Sequence, residues 1–395
     1  MVRSTDLEKQ EYEENVKYVT KECYDFLSKS QIFGGEILIN KIGNQGRTYL
    51  MPQLDKPCSL GMNLFMIRLN HSTYNEEYIW AYFNSKLGEN IIKRKINGTV
   101  PLTIDKEAIK SLYIPVVSCD FQLKIKNLVL RSNNILENAK NQYNYAINIL
   151  LNSLNIGNWV PTTENITSKK LSHLSKESRF DAEYYLPKYD ELFEKLKSYQ
   201  TKRLSEIVSI QKSIEPGSEA YEKDGIPFIR VANLTKYGFT DSDIYLSPEK
   251  YKDVIRPKKD TILLSKDGSV GIAYKVDSDM DIITSGAILH LSLINREVMP
   301  DYLTLVLNSI VVKMQAERDA GGSIIQHWKP SEIGNVIIPI LDPEAQQEIT
   351  NKIRDSFKLR RESERLLNLA KAAVEIAIEQ NEDKAVELLN QSIWQ

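Results

Sequence analysis

The sequence predicts a mixed α/β (α+β) fold, made of two similar domains and two long helices. Three observations predict it. First, residues 35–49 (Gly-Glu-Ile-Leu-Ile-Asn-Lys-Ile-Gly-Asn-Gln-Gly-Arg-Thr-Tyr) recur in character as residues 260–274 (Asp-Thr-Ile-Leu-Leu-Ser-Lys-Asp-Gly-Ser-Val-Gly-Ile-Ala-Tyr). An apolar triplet suits a buried strand, and the Gly-x-x-Gly that follows suits a tight turn whose backbone comes close to something else. Second, most of the chain pairs up when one copy is laid on the other. Third, each half runs into a long helical stretch with one apolar face.

The pairing extends in order. Val2-Arg3 with Asp6-Leu7 matches Ile229-Arg230 with Asn233-Leu234. Ser59–Leu64 falls on Thr284–Leu289 at an offset of 225, and Tyr78-Ile79 with Asn84-Ser85 falls on Tyr302-Leu303 with Asn308-Ser309, one residue closer. Gly98-Thr99-Val100 matches Gly322-Ser323-Ile324, Ile109–Pro115 matches Ile333–Pro339, and Gln122 with Ile125 matches Gln346 with Ile349. A period this long means duplicated domains rather than a solenoid.

The elements follow in order. Residues 1–119 form the first domain, and nothing before Val2 matches the approach segment Arg203–Ile210 of the second copy. Ile37–Asn40, Leu64–Leu69 and Leu112–Val116 read as strands. Glu76–Ile96 reads as one helix, with Ile79, Tyr82, Phe83, Leu87, Ile91 and Ile92 on a face. Residues 120–155 form a helix with an apolar stripe from Phe121 to Leu154, ended by Gly157 and Pro161. At 1.5 Å per residue it spans roughly 50 Å.

Residues 156–202 form a connector whose Arg179–Tyr189 stretch holds Phe180, Tyr184, Tyr185 and Tyr189, rings that need a surface to pack on. Residues 203–341 form the second domain, with Arg203–Ile210 a strand by alternation and Pro300–Arg318 its long helix. Residues 342–395 carry the second helical run, apolar from Ile349 to Ala377, with the charges of Lys358–Arg365 on a solvated face.

Composition bounds the function. The 395 residues suffice for two or three domains, and 42% hydrophobic with 26% charged residues is ordinary for a soluble protein. Cys23, Cys58 and Cys119 are far apart and odd in number, so they make no disulfide framework, and a reducing cytoplasm is expected. No apolar run reaches membrane-spanning length and no signal core opens the chain. A net charge of −2 requires that any nucleic-acid contact come from local patches.

Catalytic constellations are not found. His71, His173, His290 and His327 lack ligand spacing and read as core or surface histidines, so neither metal nor cofactor is expected. The two glycine loops lack the Lys-Ser/Thr of a phosphate cradle, and there is no Asn/Asp-Pro-Pro-Tyr/Phe and no Gly-x-Ser-x-Gly. The chain reads as a binder.

Each domain places basic and amide side chains at element ends beside glycines. After the first strand of the repeat these are Lys41, Asn44, Gln45 and Arg47, with Lys266, Asp267 and Ser269 in the copy. After the helix they are Lys93, Arg94, Lys95, Asn97 and Thr99, with Arg318, Ser323, Gln326 and Lys329 in the copy. Lys and Arg neutralise phosphates, whereas Asn, Gln, Arg and Ser/Thr can address base edges. A solvated turn explains any one such loop; two domains sharing the chemistry suit a ligand with two sites, such as duplex DNA with two half-sites.

This ordered set resembles the specificity (S) subunit of type I restriction-modification systems. The Ile-Leu-Ile-Asn-Lys-Ile-Gly-Asn-Gln-Gly and Ile-Leu-Leu-Ser-Lys-Asp-Gly-Ser-Val-Gly loops carry the likeness, as do the Gly-Thr and Gly-Gly-Ser turns and Ile-x-x-Leu/Val-x-Ile-Pro leading into a long helix. Phe228–Leu234, with Arg230, resembles the family's opening to such a domain, and Arg179–Tyr189 its connector. The resemblance implies two target-recognition domains separated by long antiparallel helices, a coiled-coil-like spacer. Each domain would read one half of a split site in double-stranded DNA, and the helices would set the spacing. It also implies two docked methyltransferase (modification) subunits that bring S-adenosylmethionine, motor-nuclease (restriction) subunits, and no catalysis by the chain itself. The alternative is a scaffold of two α/β domains that organises partner subunits without touching DNA; a paired-carboxylate enzyme has no support in the sequence.

Overall fold

Ile37–Asn40 and Ile262–Ser265, the apolar segments of the repeat, are both inner strands with every residue buried. The computed structural model describes residues 1–395 apart from 10–15, 43, 55, 71–72, 99–101, 173–178, 322–325 and 394–395. It divides into two units, Met1–Ala139 with Lys358–Gln395, and Lys140–Phe357.

In the first unit, Ile37–Asn40 lies antiparallel between Thr48–Leu50 and Leu64–Ile67. Alternation sorts its side chains: Ile37 and Ile39 join the core with Tyr78, Tyr82 and Phe83, while Leu38 joins Val2, Leu7 and Met51 on the other face. In the second unit, Ile262–Ser265 lies antiparallel between Ala273–Lys275 and Ile288–Leu293, and Val208–Lys212 pairs with the outer edge of the latter. Ile262 and Leu264 face the large core, whereas Leu263 faces Ile229, Leu234 and Val276.

The long helices are Cys119–Ser153 and Pro343–Glu379, and Glu382–Ile393 follows the second. The first unit takes the former up to Ala139 and the latter from Lys358; the second unit takes the rest. Phe121, Ile125 and Leu128 pack with Leu366, Ala370 and Val374 in the first unit. Tyr143, Ala146 and Leu150 share a core with Ile349 and Ile353 in the second. In the first unit Ser132 Oγ donates to Ser363 O at 2.9 Å, and in the second Lys352 Nζ lies 5.1 Å from the Tyr145 ring.

Both units close the start of their long helix in one way. The Gln122 side chain accepts from Asn75 N (2.9 Å) and donates to Thr73 O (3.1 Å) and Val117 O (3.4 Å). Gln346 accepts from Met299 N (3.0 Å) and donates to Glu297 O (3.3 Å) and Leu341 O (2.9 Å). The Tyr78 hydroxyl donates to Pro115 O at 2.9 Å, and that of Tyr302 to Pro339 O at 2.7 Å.

Several expectations change. The Glu76–Ile96 helix is two helices, Glu76–Phe83 and Lys86–Lys93, and Pro300–Arg318 is likewise Pro300–Asn308 and Ile310–Asp319. The Asn-Ser pair breaks each. Asn84 donates to Trp80 O and Thr48 Oγ1, and Ser85 caps the next helix by accepting from Gly88 N. Asn308 donates to Thr304 O and Ala273 O.

The sheet register moves one match: Asn40 pairs with Leu64 and Ser265 with Ile288, so Leu64 falls on Ile288 rather than Leu289. Arg203–Ile210 is not one strand. Thr201–Arg203 and Val208–Lys212 flank a turn at Leu204–Glu206 and join different sheets. Leu112–Val116 is not a strand, because its counterpart Ile337–Pro339 pairs with Thr201–Arg203 and the first unit has no such partner among the described residues. Of the connector rings, Tyr189 is buried and Phe180 is exposed.

His290 is a core histidine: Nε2 lies 2.8 Å from Thr284 Oγ1 and burial pushes the ring down to about 4. His71 and His173 lie outside the described residues.

Two predictions follow from these buried groups. Gln346→Leu leaves the Met299 amide and two carbonyls without partners, which costs about 2–3 kcal/mol. Hydrogen exchange will speed up around Met299–Asn308 and not around Glu76–Phe83, and Gln122→Leu will do the reverse. The unfolded chain protonates His290 near 6.5, above its folded value of about 4. Its contribution is therefore complete above 6.5 and is lost as pH falls toward 4, by about 3 kcal/mol. Thermal unfolding of the second unit followed against pH will show this loss, and His290→Gln will flatten it.

Candidate nucleic-acid interface

Backbone geometry brings the two loops of each repeat together. In the first unit the strand Ile37–Asn40 ends in a loop closed by Gly46 N donating to Asn40 O at 2.9 Å. Gly46 has φ +78°, and a Cβ there would lie 2.2 Å from Ile92 Cγ2, so only glycine lets the loop sit on the Lys86–Lys93 helix. Asn97 and Thr103 pair as a bridge, and Ile104 N donates to Lys41 O at 3.3 Å. The same contacts recur in the second unit: Gly271 N to Ser265 O at 3.0 Å, Gly321 bridged to His327, and Trp328 N to Lys266 O at 2.8 Å. There Gly268 N also donates to Gln326 O at 2.9 Å. Each unit therefore presents one surface made of both loops.

The side chains on that surface differ between units. In the first, Asn44, Arg47, Lys93 and Arg94 are exposed, and Lys41 and Lys95 are half-buried. Lys41 Nζ lies 5.5 Å from the Phe65 ring, Asn44 Nδ2 donates to Glu8 Oε1 at 2.8 Å, and Lys93 pairs with Glu89 at 3.4 Å. Gln45 holds the loops together by donating to Leu102 O at 2.9 Å. Thr99 lies outside the described residues.

In the second unit, Ser269, Gln326 and Lys329 are exposed, and Lys329 pairs with Glu332 at 3.4 Å. Lys266 is turned inward and held by Asp267, whose other oxygen lies 2.9 Å from His327 Nδ1. Burial works to raise the Asp267 carboxyl, but its contacts with Lys266 and His327 keep it below the ordinary range. Ser323 lies outside the described residues. Arg230 opens the turn Val231–Asn233, its amide donating to Asn233 Oδ1 at 3.2 Å as Arg3 N donates to Asp6 Oδ2 at 2.8 Å. The Arg230 side chain reaches Asp243 at 3.8 Å.

Arg318 is engaged within its unit. Its guanidinium lies between the rings of Tyr184 (4.8 Å) and Phe193 (4.6 Å), and Nε donates to Asp319 Oδ1 at 2.8 Å. Arg179 covers the Tyr184 ring at 4.7 Å and donates to Asp319 O at 3.1 Å. Tyr184 thus packs on the residues that lead into the Gly321 turn. Burial pushes the Asp319 carboxyl up. Sequence reading missed Glu8, the Asp267–His327 pair and the Tyr184–Arg318–Phe193 stack, since each joins residues brought together only by the fold.

Among the described residues no group of three or more His, Cys, Asp or Glu side chains is gathered as metal ligands would be, and no helix is long and apolar enough to cross a membrane.

Comparison with known proteins places part of this chain. The family model described as "Type I restriction modification DNA specificity domain" matches residues 197–368. The type I restriction enzyme MjaIX specificity subunit of Methanocaldococcus jannaschii is 24% identical over 277 residues, which is 67% of this chain and 58% of that protein. The chain therefore spans well under two thirds of that relative's length. Among solved structures, a type I restriction-modification S subunit from M. genitalium aligns over 92% of this chain and 84% of its own, with 16% identity and a TM-score of 0.33. The HsdS subunit of Thermoanaerobacter tengcongensis aligns over 89% and 82%, with 15% identity and a TM-score of 0.32. Residues 197–368 of this chain are thus similar to the DNA specificity domain of type I restriction-modification systems.

Proposed function

We propose that this chain is the DNA sequence-recognition subunit of a type I restriction-modification complex, acting in the cytoplasm and catalysing nothing itself. Residues 1–119 and 203–341 are two target-recognition domains, each contacting one half of a bipartite site in double-stranded DNA. The helices of 120–155 and 342–395 set the spacing between the halves. Together with the connector 156–202 they dock two methyltransferase subunits, and motor-nuclease subunits join that assembly.

The observation that carries this reading is the doubled loop surface: the same main-chain bonds join a glycine loop to a second loop in both units, while the side chains differ. A reader of two unlike half-sites needs one scaffold with variable contacts, because phosphate contacts position a protein and base contacts specify the sequence. Exposed Arg47, Lys93, Arg94 and Lys329, with half-buried Lys41 and Lys95, meet phosphates. Asn44, Ser269 and Gln326 have the chemistry for base edges. Arg230, Thr99 and Ser323 belong to the same DNA-contacting set, and Lys266 and Arg318 reach it by shaping their loops.

Mapping methylated bases in DNA exposed to this chain with its methyltransferase subunit tests the proposal. A motif split by a fixed unspecified stretch is expected; a continuous motif, or methylation without sequence preference, overturns it. With the same complex, replacing Lys93, Arg94 and Lys95 by alanine should weaken binding to all sequences and lower the salt slope by up to about three. Gln326→Ala should instead relax preference at one position, at a cost of about 1–3 kcal/mol. Binding measured against salt, on matched and mismatched duplexes, separates the two.

A further inference from the structure

The second unit carries a polar pair at a place where the first has none. His327 exchanges two main-chain bonds with Gly321, and Trp328 N donates to Lys266 O. In the first unit Thr103 exchanges the same two bonds with Asn97, and Ile104 N donates to Lys41 O. Ile42 and Thr103 therefore stand where Asp267 and His327 do. The first unit joins its loops without any such pair, so the joint does not require one.

What the pair adds is an oriented ring. Trp328 is buried, and the side chain before it, His327, turns outward and is 64% exposed. Its Nδ1 lies 2.9 Å from Asp267 Oδ1, and the other Asp267 oxygen is held by Lys266, whose side chain is only 13% exposed. Burial opposes ionisation of Asp267, but Lys266 and His327 outweigh it and keep the carboxyl below the ordinary range. A carboxylate only accepts, so the Nδ1 proton points at it and the ring cannot swing freely. Nε2 is left as the outward atom, and among the described residues nothing bonds it. In the neutral ring that nitrogen is an acceptor. Exposed Gln326 precedes it, its carbonyl receiving Gly268 N at 2.9 Å.

Resting on the DNA-recognition reading above, we propose that His327 reads a base edge, its Nε2 accepting a hydrogen bond from an exocyclic amino group in the major groove. The donor is adenine N6 or cytosine N4, and every base pair shows one of the two there. A phosphate is no partner for the neutral ring's outward nitrogen, because its oxygens are acceptors too. The first unit, with Ile42 and Thr103 at these places, lacks this contact, as suits a reader of two unlike half-sites.

The test uses the full chain with its methyltransferase subunit, bound to its mapped DNA site at about pH 8.5, above the ordinary histidine range. Each adenine of the site is replaced in turn by purine, and each cytosine by 2-pyrimidinone, which removes one amino group at a time. Binding is compared between the unaltered chain, His327→Ala and His327→Phe, the last keeping a ring without nitrogens. At one position, amino removal should weaken binding of the unaltered chain about five- to ten-fold and that of both variants less than about two-fold. At every other position the three chains should respond alike, which also shows that the variants fold. The proposal is overturned if the variants pay the same penalty as the unaltered chain throughout. It is also overturned if they lose affinity equally on matched and mismatched duplexes, which is the mark of a phosphate contact. In both cases DNA recognition by the complex stands; a complex with no sequence preference at all would remove that reading and this proposal together.

Discussion

The structure depends on a buried carboxamide at the first turn of each long helix. Gln122 and Gln346 each meet one backbone N–H and two backbone carbonyls, from the loop ahead of the helix pair and from the residue leading into the long helix. No apolar side chain could both donate and accept there, and leaving such groups unpaired in a core costs more than the bonds themselves return on folding. The amide therefore locks the long helix to its own α/β body. The tyrosine bonded to the proline carbonyl, Tyr78 to Pro115 and Tyr302 to Pro339, fixes the same corner from the other side.

A lock made of amides and main-chain groups explains why the halves share geometry while sharing few identities. The loop surface follows the same rule. Lys41 and Lys266 each use their carbonyl to receive the second loop, so the contact is made below the side chains. Outward residues can then change without moving the scaffold. Even a charged side chain can be put to internal use: Arg318 stacks between Tyr184 and Phe193, tying the connector to the start of the second loop. Separating frame from contact lets outward side chains vary on a fixed loop scaffold.

The two units share the main-chain bonds that join their loops and the carboxamide bonds at their long helices. In the second unit Thr201–Lys212 also pairs with two sheets. The consequence is physical: a strand pairs or stays extended according to its neighbour, so Ile337–Pro339 is a strand and 112–116, of like composition, is not.

By itself the sequence determined the doubling, the buried strand Ile37–Asn40 with its copy, the long helices and the position of both loops. These signals are local and periodic, set by side-chain alternation and by glycine. The family likeness was legible for the same reason, since its motifs are short and recur in order. Tertiary structure alone decided the rest. Whether Asn84-Ser85 breaks a helix rests on Thr48, 36 residues away, accepting from the asparagine. The inward turn of Lys266 depends on Asp267 being braced by His327, sixty residues on. Contacts of this reach leave no periodic trace in a chain, because each is a meeting of two side chains rather than a property of either.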